Sequence, residues 1–173
     1  VYDPRVVWNT QDIVAERGGI AVQSKTGHAF IKQTMRTEHA VYGGEMSAHH
    51  YFRDFAYCDS GMVPWLLIVE LISKFGNSLG NLIQDRFEKF PSSGEINFTV
   101  TDAHASIVRV SEAYKSQALS VDETDGLSFD CGDWRFNLRK SNTEPLVRLN
   151  LEARGNAGAF EQRIAKLSAL IIG

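Results

Sequence analysis

Short apolar segments alternate with segments of helical periodicity along the first part of the chain. Residues 1–3, 20–23 and 40–42 are short segments with mostly apolar side chains, which predict short strands. Residues 5–15 and 28–38 space their apolar side chains as a helix does, which predicts two helices between the strands. Because strands alternating with helices are typical of α/β proteins, the pattern predicts an N-terminal α/β domain with a parallel or mixed sheet.

The most apolar stretch of the chain, residues 62–69, is too short to span a bilayer and predicts a buried helix that continues to about residue 75. Residues 59–61 are expected to cap its start, and a further helix is predicted over 77–90. Six side chains are predicted in the interior: Ala29, Ile31 and Met35 on the inner face of the helix at 28–38, and Trp8, Trp65 and Trp134 as core anchors.

From Glu95 onward the pattern is that of a smaller α+β domain with an antiparallel sheet. A polar break at 91–94 separates the two patterns, so we expect domains at 1–93 and 94–173. The predicted strands of the second domain are 96–100, 127–130, 134–138 and 146–152, and its predicted helices are 106–117 and 159–172.

Composition excludes several classes of function. The chain is 43% hydrophobic and 23% charged with a net charge of -3 and no basic run, which argues against nucleic acid or a membrane as a partner. Cys58 and Cys131 lie far apart in sequence, so reduced thiols and a cytoplasmic location are expected. Val1 is not an initiator Met and no signal pattern follows it, so we expect a fragment of a longer protein.

The first candidate site is the polar run from Gly44 to His50, which directly follows a predicted strand. In extended chain Glu45, Ser47 and His49 point to the same side. A carboxylate, a hydroxyl and an imidazole together are suited to the hydroxyls of a sugar ring. The alternative is that these residues close a turn, as short polar runs commonly do.

Other polar side chains follow the remaining predicted strands of the same domain. Ligands of open α/β sheets bind at the carboxyl ends of the strands, so the turns there are expected to lie side by side. That arrangement would bring Arg5, Lys25 and His28 to the same cleft as Glu45.

The second candidate site is a loop in the second domain that carries Arg139, Ser141, Asn142 and Thr143, with Pro145 at its exit. A guanidinium, two hydroxyls, an amide and backbone N–H groups in one loop can hold a dianion such as phosphate. Ordinary turn formation explains the same residue types, so that alternative stays open.

Three of these segments resemble motifs of the α-phosphohexomutases, in the same order. KTGH followed by a helix and GEMSAHHYF are similar to the third of the four domains of that family, and RKSNTEPLVRLNLE is similar to its fourth. The resemblance runs essentially end to end and looks closest to the bacterial phosphomannomutases of GDP-mannose and polysaccharide biosynthesis. It therefore implies domains 3 and 4 of a phosphohexomutase.

The resemblance also implies roles for individual residues. Glu45, Ser47 and His49 would bind sugar hydroxyls, and the phosphate that is not being transferred would be held by Arg139, Ser141, Asn142 and Thr143. Arg5 and His28 would line the reaction centre, although the family often has a lysine at the position of Arg5, and an arginine is a poor base. Arg148 either supports the phosphate loop or is a surface residue of the strand.

The family's phosphoserine loop and its DGDxDR metal loop are absent from this sequence. The resemblance thus implies that Mg²⁺ and a hexose 1,6-bisphosphate activator serve the intact enzyme, and that this chain recognises substrate but needs domains 1 and 2 of the same protein for catalysis. Three functions are expected in order: a phosphomannomutase acting on mannose 6-phosphate and mannose 1-phosphate, a phosphoglucomutase or dual-specificity mutase, and a non-catalytic phosphosugar-binding module.

Overall fold

The computed structural model describes residues 1–76, 78–141, 144–155 and 158–173. It divides the chain into two compact units, Val1–Phe87 and Glu88–Gly173, here called the N-terminal and C-terminal units. The domain boundary predicted at 93/94 from the sequence stays a prediction.

The N-terminal unit begins with two helices, continues with three short strands and ends with two further helices. Its elements are α1 (Trp8–Glu16), α2 (His28–Thr37), β1 (Tyr42–Gly44), β2 (His50–Phe52), a 3-10 turn (Arg53–Phe55), β3 (Cys58–Asp59), α3 (Met62–Phe75) and α4 (Leu79–Lys89), the last of which crosses into the C-terminal unit.

The sheet of the N-terminal unit is mixed, as the α/β pattern predicted. Strands β1, β2 and β3 pair antiparallel in that order. Tyr2 adds parallel bridges to Gln23 on one side and to Gly44 on the other. The strands predicted at 1–3 and 20–23 are therefore reduced to single bridging residues.

Helix α2 packs on this sheet through Ile31 and Met35, which are buried together with Tyr51. Ala29 is exposed, so its predicted place on the inner face is wrong. A residue two positions from Ile31 lies about 200° away around a helix, on the opposite face. On the sheet side only glycine fits at Gly43, where an added Cβ would lie 2.6 Å from the Met35 sulfur.

Helix α3 contradicts the prediction of a buried helix. It starts as expected, with Ser60 Oγ accepting a hydrogen bond from Val63 N at 3.2 Å, but none of its residues is buried. The Trp65 side chain is 57% exposed, so its predicted role as a core anchor is wrong, whereas Trp8 and Trp134 are buried. Apolar character all around a helix requires a partner surface for burial, and hydropathy does not provide one.

No single helix in the described ranges is long and apolar enough to cross a membrane. Helices α3 and α4 meet that test of length and composition only when they are joined across a bend of 102°.

The C-terminal unit is an antiparallel sheet with two helices, which confirms the predicted α+β class. Its elements are β4 (Ser92–Thr99), α5 (Ala103–Tyr114), β5 (Ser120–Asp122), β6 (Leu127–Asp130), β7 (Trp134–Lys140), β8 (Leu146–Ala153) and α6 (Phe160–Ile172), and the strand order is β4-β8-β7-β6-β5.

In this unit one local prediction is wrong and one strand was missed. The break predicted at 91–94 is part of β4, which begins at Ser92 and passes through a register shift before Glu95, with Gly94 at φ 66°. Strand β5 was not predicted because its three residues are too few to show a period.

The two faces of the C-terminal sheet differ in polarity because side chains alternate along each strand. Phe136, Leu138 and Leu149 on one face join the core with Val110 of α5 and Leu167 of α6. The other face carries polar side chains of the two central strands: Arg135, Asn137, Arg139, Arg148, Asn150 and Glu152. The second candidate site is on this polar face.

Candidate functional site

The first site is a tight turn between β1 and β2. Glu45 N donates to the His49 carbonyl oxygen at 3.0 Å, and Ala48 N donates to the Glu45 carbonyl oxygen at the same distance. Ala48 has a φ of 63°. The chain is therefore folded back here, and the prediction that Glu45, Ser47 and His49 point to the same side of an extended chain is wrong.

Glu45 is buried, and both of its carboxylate oxygens are held. Oε1 accepts from Gly27 N at 2.7 Å, and Oε2 accepts from the Tyr51 hydroxyl at 2.5 Å. Burial raises the pKa of Tyr51, and the hydrogen bond to Glu45 raises it further. Because each carboxylate oxygen has two lone pairs, the anchored Glu45 can still accept hydrogen bonds from a ligand.

Arg5 and Ser47 are brought together beside this carboxylate, with Arg5 Nη2 lying 3.3 Å from Ser47 Oγ. Asp3 holds the pair in place. Its buried carboxylate accepts from Arg5 Nη2 at 2.6 Å, from Arg5 Nε at 3.1 Å and from Met46 N at 2.7 Å. Arg5 is only 5% exposed, and a buried charge of this kind needs a partner. The buried carboxylate of Asp3 provides that partner.

Asp3, Tyr51 and Gly27 are positioning residues that sequence reasoning missed. The available signal for Asp3 was a carboxylate two residues before Arg5 at the end of a predicted strand. The sequence carries no such signal for the contacts of Tyr51 and Gly27, because these contacts depend on which segments folding brings together.

His49 and His28 occupy more open positions. His49 Nδ1 lies 2.6 Å from Asp59 Oδ2, and both side chains are exposed. Desolvation acts to raise the pKa of Asp59, but hydrogen bonds from His49 and from His50 N outweigh it and lower the pKa. His28 is the exposed first residue of α2, directly after Gly27. The roles of both histidines stay predictions.

A groove of about 630 Å³ adjoins the turn, and its lining includes Asp3 and Glu45. Its lining continues along apolar side chains of the N-terminal unit, including Val6, Ile13 and Val41. Polar side chains of Asn9, Thr10 and His50 also line the groove, so its wall is mixed in polarity.

The second site differs from its prediction in one respect: Arg139 is not in the loop but on β7, which continues to Lys140. The reason is that the ladder to β8 persists, pairing Arg139 with Arg148 and Lys140 with Val147. Ser141 follows the strand, and its N–H donates to the Leu146 carbonyl oxygen at 2.8 Å. Asn142 and Thr143 lie outside the described residues.

Glu95 on β4 lies between two arginines. Its Oε2 is 3.2 Å from Arg139 Nη2, and its Oε1 is 3.4 Å from Arg148 Nη1. Sequence reasoning missed Glu95, which is distant in sequence from the loop and became its neighbour only through the pairing of β4 with β8.

A metal site does not emerge from the described ranges. No group of three or more His, Cys, Asp or Glu side chains there is arranged to hold an ion. The described residues thus do not fit the Mg²⁺ that the resemblance implies for the intact enzyme, and no chemical step on this chain is assigned to a metal.

Comparison with protein-family models gives two adjoining matches. Residues 1–90 match the model described as phosphoglucomutase/phosphomannomutase, alpha/beta/alpha domain III. Residues 95–169 match the C-terminal domain of the same group.

Individual relatives agree with these matches. The chain is 60% identical over 173 residues to a protein of Xanthomonas campestris pv. campestris (strain B100) named "Phosphohexose mutases", covering 100% of this chain and 39% of that protein. It is 57% identical over 171 residues to a phosphomannomutase of Escherichia coli (strain K12), covering 99% of this chain and 38% of that protein.

A solved structure of a phosphoglucomutase/phosphomannomutase family protein from Burkholderia thailandensis is similar at a TM-score of 0.75 and 27% identity, covering 98% of this chain and 36% of that one. The chain thus spans well under half the length of the relatives it matches.

Proposed function

Because the chain belongs to the phosphoglucomutase/phosphomannomutase family, we propose that it provides substrate recognition to a cytoplasmic phosphomannomutase that interconverts mannose 6-phosphate and mannose 1-phosphate. In this proposal domains 1 and 2 of the same protein supply the phosphoserine and the Mg²⁺ site, and a hexose 1,6-bisphosphate is the intermediate and activator. The product would serve GDP-mannose and polysaccharide biosynthesis.

The observation that carries the proposal is the anchoring of Glu45. Its two oxygens are fixed by Gly27 N and the Tyr51 hydroxyl, so the carboxylate is oriented before a ligand arrives. A fixed acceptor loses less entropy on binding than a mobile one. Ser47 beside it adds a hydroxyl that can donate or accept, which suits the neighbouring hydroxyls of a hexose.

The charged groups have separate tasks in this proposal. Arg5 stays protonated, so it would stabilise negative charge on a phosphoryl or hydroxyl oxygen and would not act as a base. His28 is the candidate for proton transfer, since an imidazole nitrogen can accept a proton and the ring can donate one. Arg139, with Ser141, Asn142 and Thr143, would hold the phosphate that is not being transferred.

The bisphosphate must turn around between two phosphoryl transfers, so the same residues must receive the sugar in two orientations. Glu45 and Ser47 would contact hydroxyls that occupy equivalent places in both orientations. The Arg139 region would accept the phosphate at either end of the sugar. Such contacts add binding energy without favouring one direction of the reaction.

Isothermal calorimetry of the chain with mannose 1-phosphate tests this assignment. We expect Glu45→Gln and Arg139→Met each to weaken binding by about tenfold or more, because each removes a hydrogen bond to or from a charged group. Glu112→Gln and Lys115→Met, exposed changes of equal charge on and after α5, serve as controls and should leave affinity unchanged. Unaltered affinity in both site variants would contradict the assignment.

A dual-specificity mutase is the second candidate, because the matched family model names both phosphoglucomutase and phosphomannomutase. Titration with glucose 1-phosphate separates the two, since a mannose-specific site should bind it less tightly. Turnover after joining the chain to domains 1 and 2 separates a mutase from a phosphosugar-binding module without catalysis.

A further inference from the structure

Asp59 on β3 contacts both histidines at the end of the Glu45 turn. Its Oδ2 lies 2.6 Å from His49 Nδ1, and its Oδ1 accepts from His50 N at 2.9 Å. Strand pairing places the carboxylate there, because Asp59 is the register partner of Tyr51 in the ladder between β2 and β3. One side chain therefore holds the ring of His49 and the backbone directly after it.

The carboxylate also determines which ring nitrogen of His49 carries a hydrogen. Despite desolvation, the hydrogen bonds from His49 and His50 N keep the pKa of Asp59 below its ordinary value. At neutral pH Asp59 is thus an ionised carboxylate, which accepts hydrogen bonds and cannot donate them. The nitrogen beside it, His49 Nδ1, must then carry the hydrogen. In the neutral ring the opposite nitrogen, Nε2, is left as an acceptor.

His50 on the same strand provides a contrast. Its Nδ1 lies 2.6 Å from the Tyr42 hydroxyl. A hydroxyl both donates and accepts, so this contact is compatible with a hydrogen on either nitrogen of the His50 ring. The hydrogen-bond partner therefore determines the tautomer of His49 and leaves that of His50 open.

The outer edge of the His49 ring is accessible to a ligand. The side chain is 54% exposed, and Nε2 lies across the ring from Nδ1, so it points away from Asp59. The ring is also stacked beside Tyr51, with centroids 6.5 Å apart and an interplanar angle of 30°. An ion pair this exposed adds little stability, so the contact with Asp59 matters chiefly for orientation.

We propose that Asp59 is a positioning residue of the sugar site, which holds His49 in the Nδ1–H form so that Nε2 accepts a hydrogen bond from a sugar hydroxyl. This inference rests on the proposed function, because it adds a residue to the same site and specifies the polarity of one contact. In the alternative role, Asp59 closes the hairpin of β2 and β3 and has no effect on the ligand.

The tautomer can be measured without a ligand, by nitrogen NMR of the ¹⁵N-labelled 173-residue chain at a pH where imidazoles are neutral. The signals of His49 are assigned from their loss in His49→Gln. We expect the hydrogen on Nδ1 in the unaltered chain and on Nε2 in Asp59→Asn. The amide of Asp59→Asn must turn its oxygen to His50 N–H, which leaves its NH₂ group to donate to His49 Nδ1.

Asp54→Asn is the matched control for this measurement. It removes a carboxylate from the same hairpin, where the Asp54 side chain is 89% exposed and contacts Arg53, and it should leave the His49 tautomer unchanged. A hydrogen on Nε2 of His49 in the unaltered chain would overturn the proposal. So would an unchanged tautomer in Asp59→Asn.

Calorimetric titration with mannose 1-phosphate tests the contact with the ligand. Asp59→Asn should weaken binding by about tenfold, because a sugar hydroxyl that donates to Nε2 would meet an N–H instead. Asp54→Asn, and Tyr42→Phe at the partner of His50, should change affinity little. Thermal unfolding of each variant shows whether the fold is retained. Unchanged affinity of a folded Asp59→Asn variant with an inverted tautomer would overturn the contact between Nε2 and the ligand.

Failure of the inference is distinguishable from failure of the proposed function. Binding of mannose 1-phosphate that is equally tight in the unaltered chain and in Asp59→Asn would overturn the role of Asp59 and leave the proposed function intact. Absence of binding to the unaltered chain would overturn the proposed function, and with it the sugar contact of His49.

Discussion

The two units bury different kinds of side chain. The C-terminal unit closes one large apolar cluster of β6, β7, β8, α5 and α6. The N-terminal unit has a small cluster of Ile31, Met35 and Tyr51, and next to it a buried network of Asp3, Arg5 and Glu45. The turn proposed to bind the sugar is thus held by charge-assisted hydrogen bonds. Arg139 and Arg148, in contrast, lie on the polar face of a sheet whose other face packs on the apolar cluster.

The largest effect is expected for Phe136→Ala in the apolar cluster. The ring is fully buried, with its centroid 4.8 Å from that of Phe129, and its removal leaves a cavity. Urea unfolding followed by circular dichroism should show a loss of about 3–5 kcal/mol in the free energy of unfolding.

Phe75→Ala is the matched control, since the Phe75 side chain on α3 is 66% exposed. We expect a change within about 0.5 kcal/mol, as for surface substitutions generally. Equal losses in the two variants would contradict the contrast between the units.

Asp3→Asn should have the next largest effect. It leaves Arg5 charged and buried beside a neutral amide, for which we expect a loss of about 3 kcal/mol in the free energy of unfolding. Asp54→Asn removes an exposed partner of Arg53 and should cost less than about 1 kcal/mol. A similar small loss for Asp3→Asn would show that the buried pair does not hold the turn.

Tyr51→Phe removes the hydroxyl that donates to Glu45 and nothing else. Because the acceptor is charged and buried, chemical denaturation should show a loss of about 2 kcal/mol. In the comparison variant Tyr42→Phe the lost partner is His50 Nδ1 at an exposed site, so the expected loss is below about 1 kcal/mol. Tyr51→Phe should lose more stability than Tyr42→Phe, and the reverse order would contradict the prediction.

The smallest effect is expected for Ala48→Gly, which should stabilise the chain. Ala48 has a left-handed backbone with a φ of 63°, and this conformation favours glycine by about 0.5–1 kcal/mol after its entropy cost. Ala165→Gly, at an exposed position inside α6, should instead cost about 1 kcal/mol. Loss of stability in both variants would show that the turn is not strained.

Elements with a long regular pattern were predicted well from sequence, and short or unpartnered ones were not. Helix α2 and strands β7 and β8 lie at or near their predicted positions because their periodicity extends over the whole element. Helix α1 begins at Trp8 and not at residue 5, since Arg5 is engaged by Asp3. Polar residues of the candidate sites could be proposed from their types, and Asp3 left a signal beside Arg5 that was missed, but Tyr51 and Glu95 left none.

The local order of apolar and polar residues was sufficient to determine the two-domain class, most of the helices and the polar segments around Glu45 and Ser141. Tertiary structure alone decided that the Glu45 turn folds back, that α3 remains exposed and that Glu95 meets Arg139 and Arg148. The physical reason is the distance along the chain over which each feature is determined. Periodicity depends on residues that are close in sequence, whereas ion pairs and burial depend on distant segments that folding brings together.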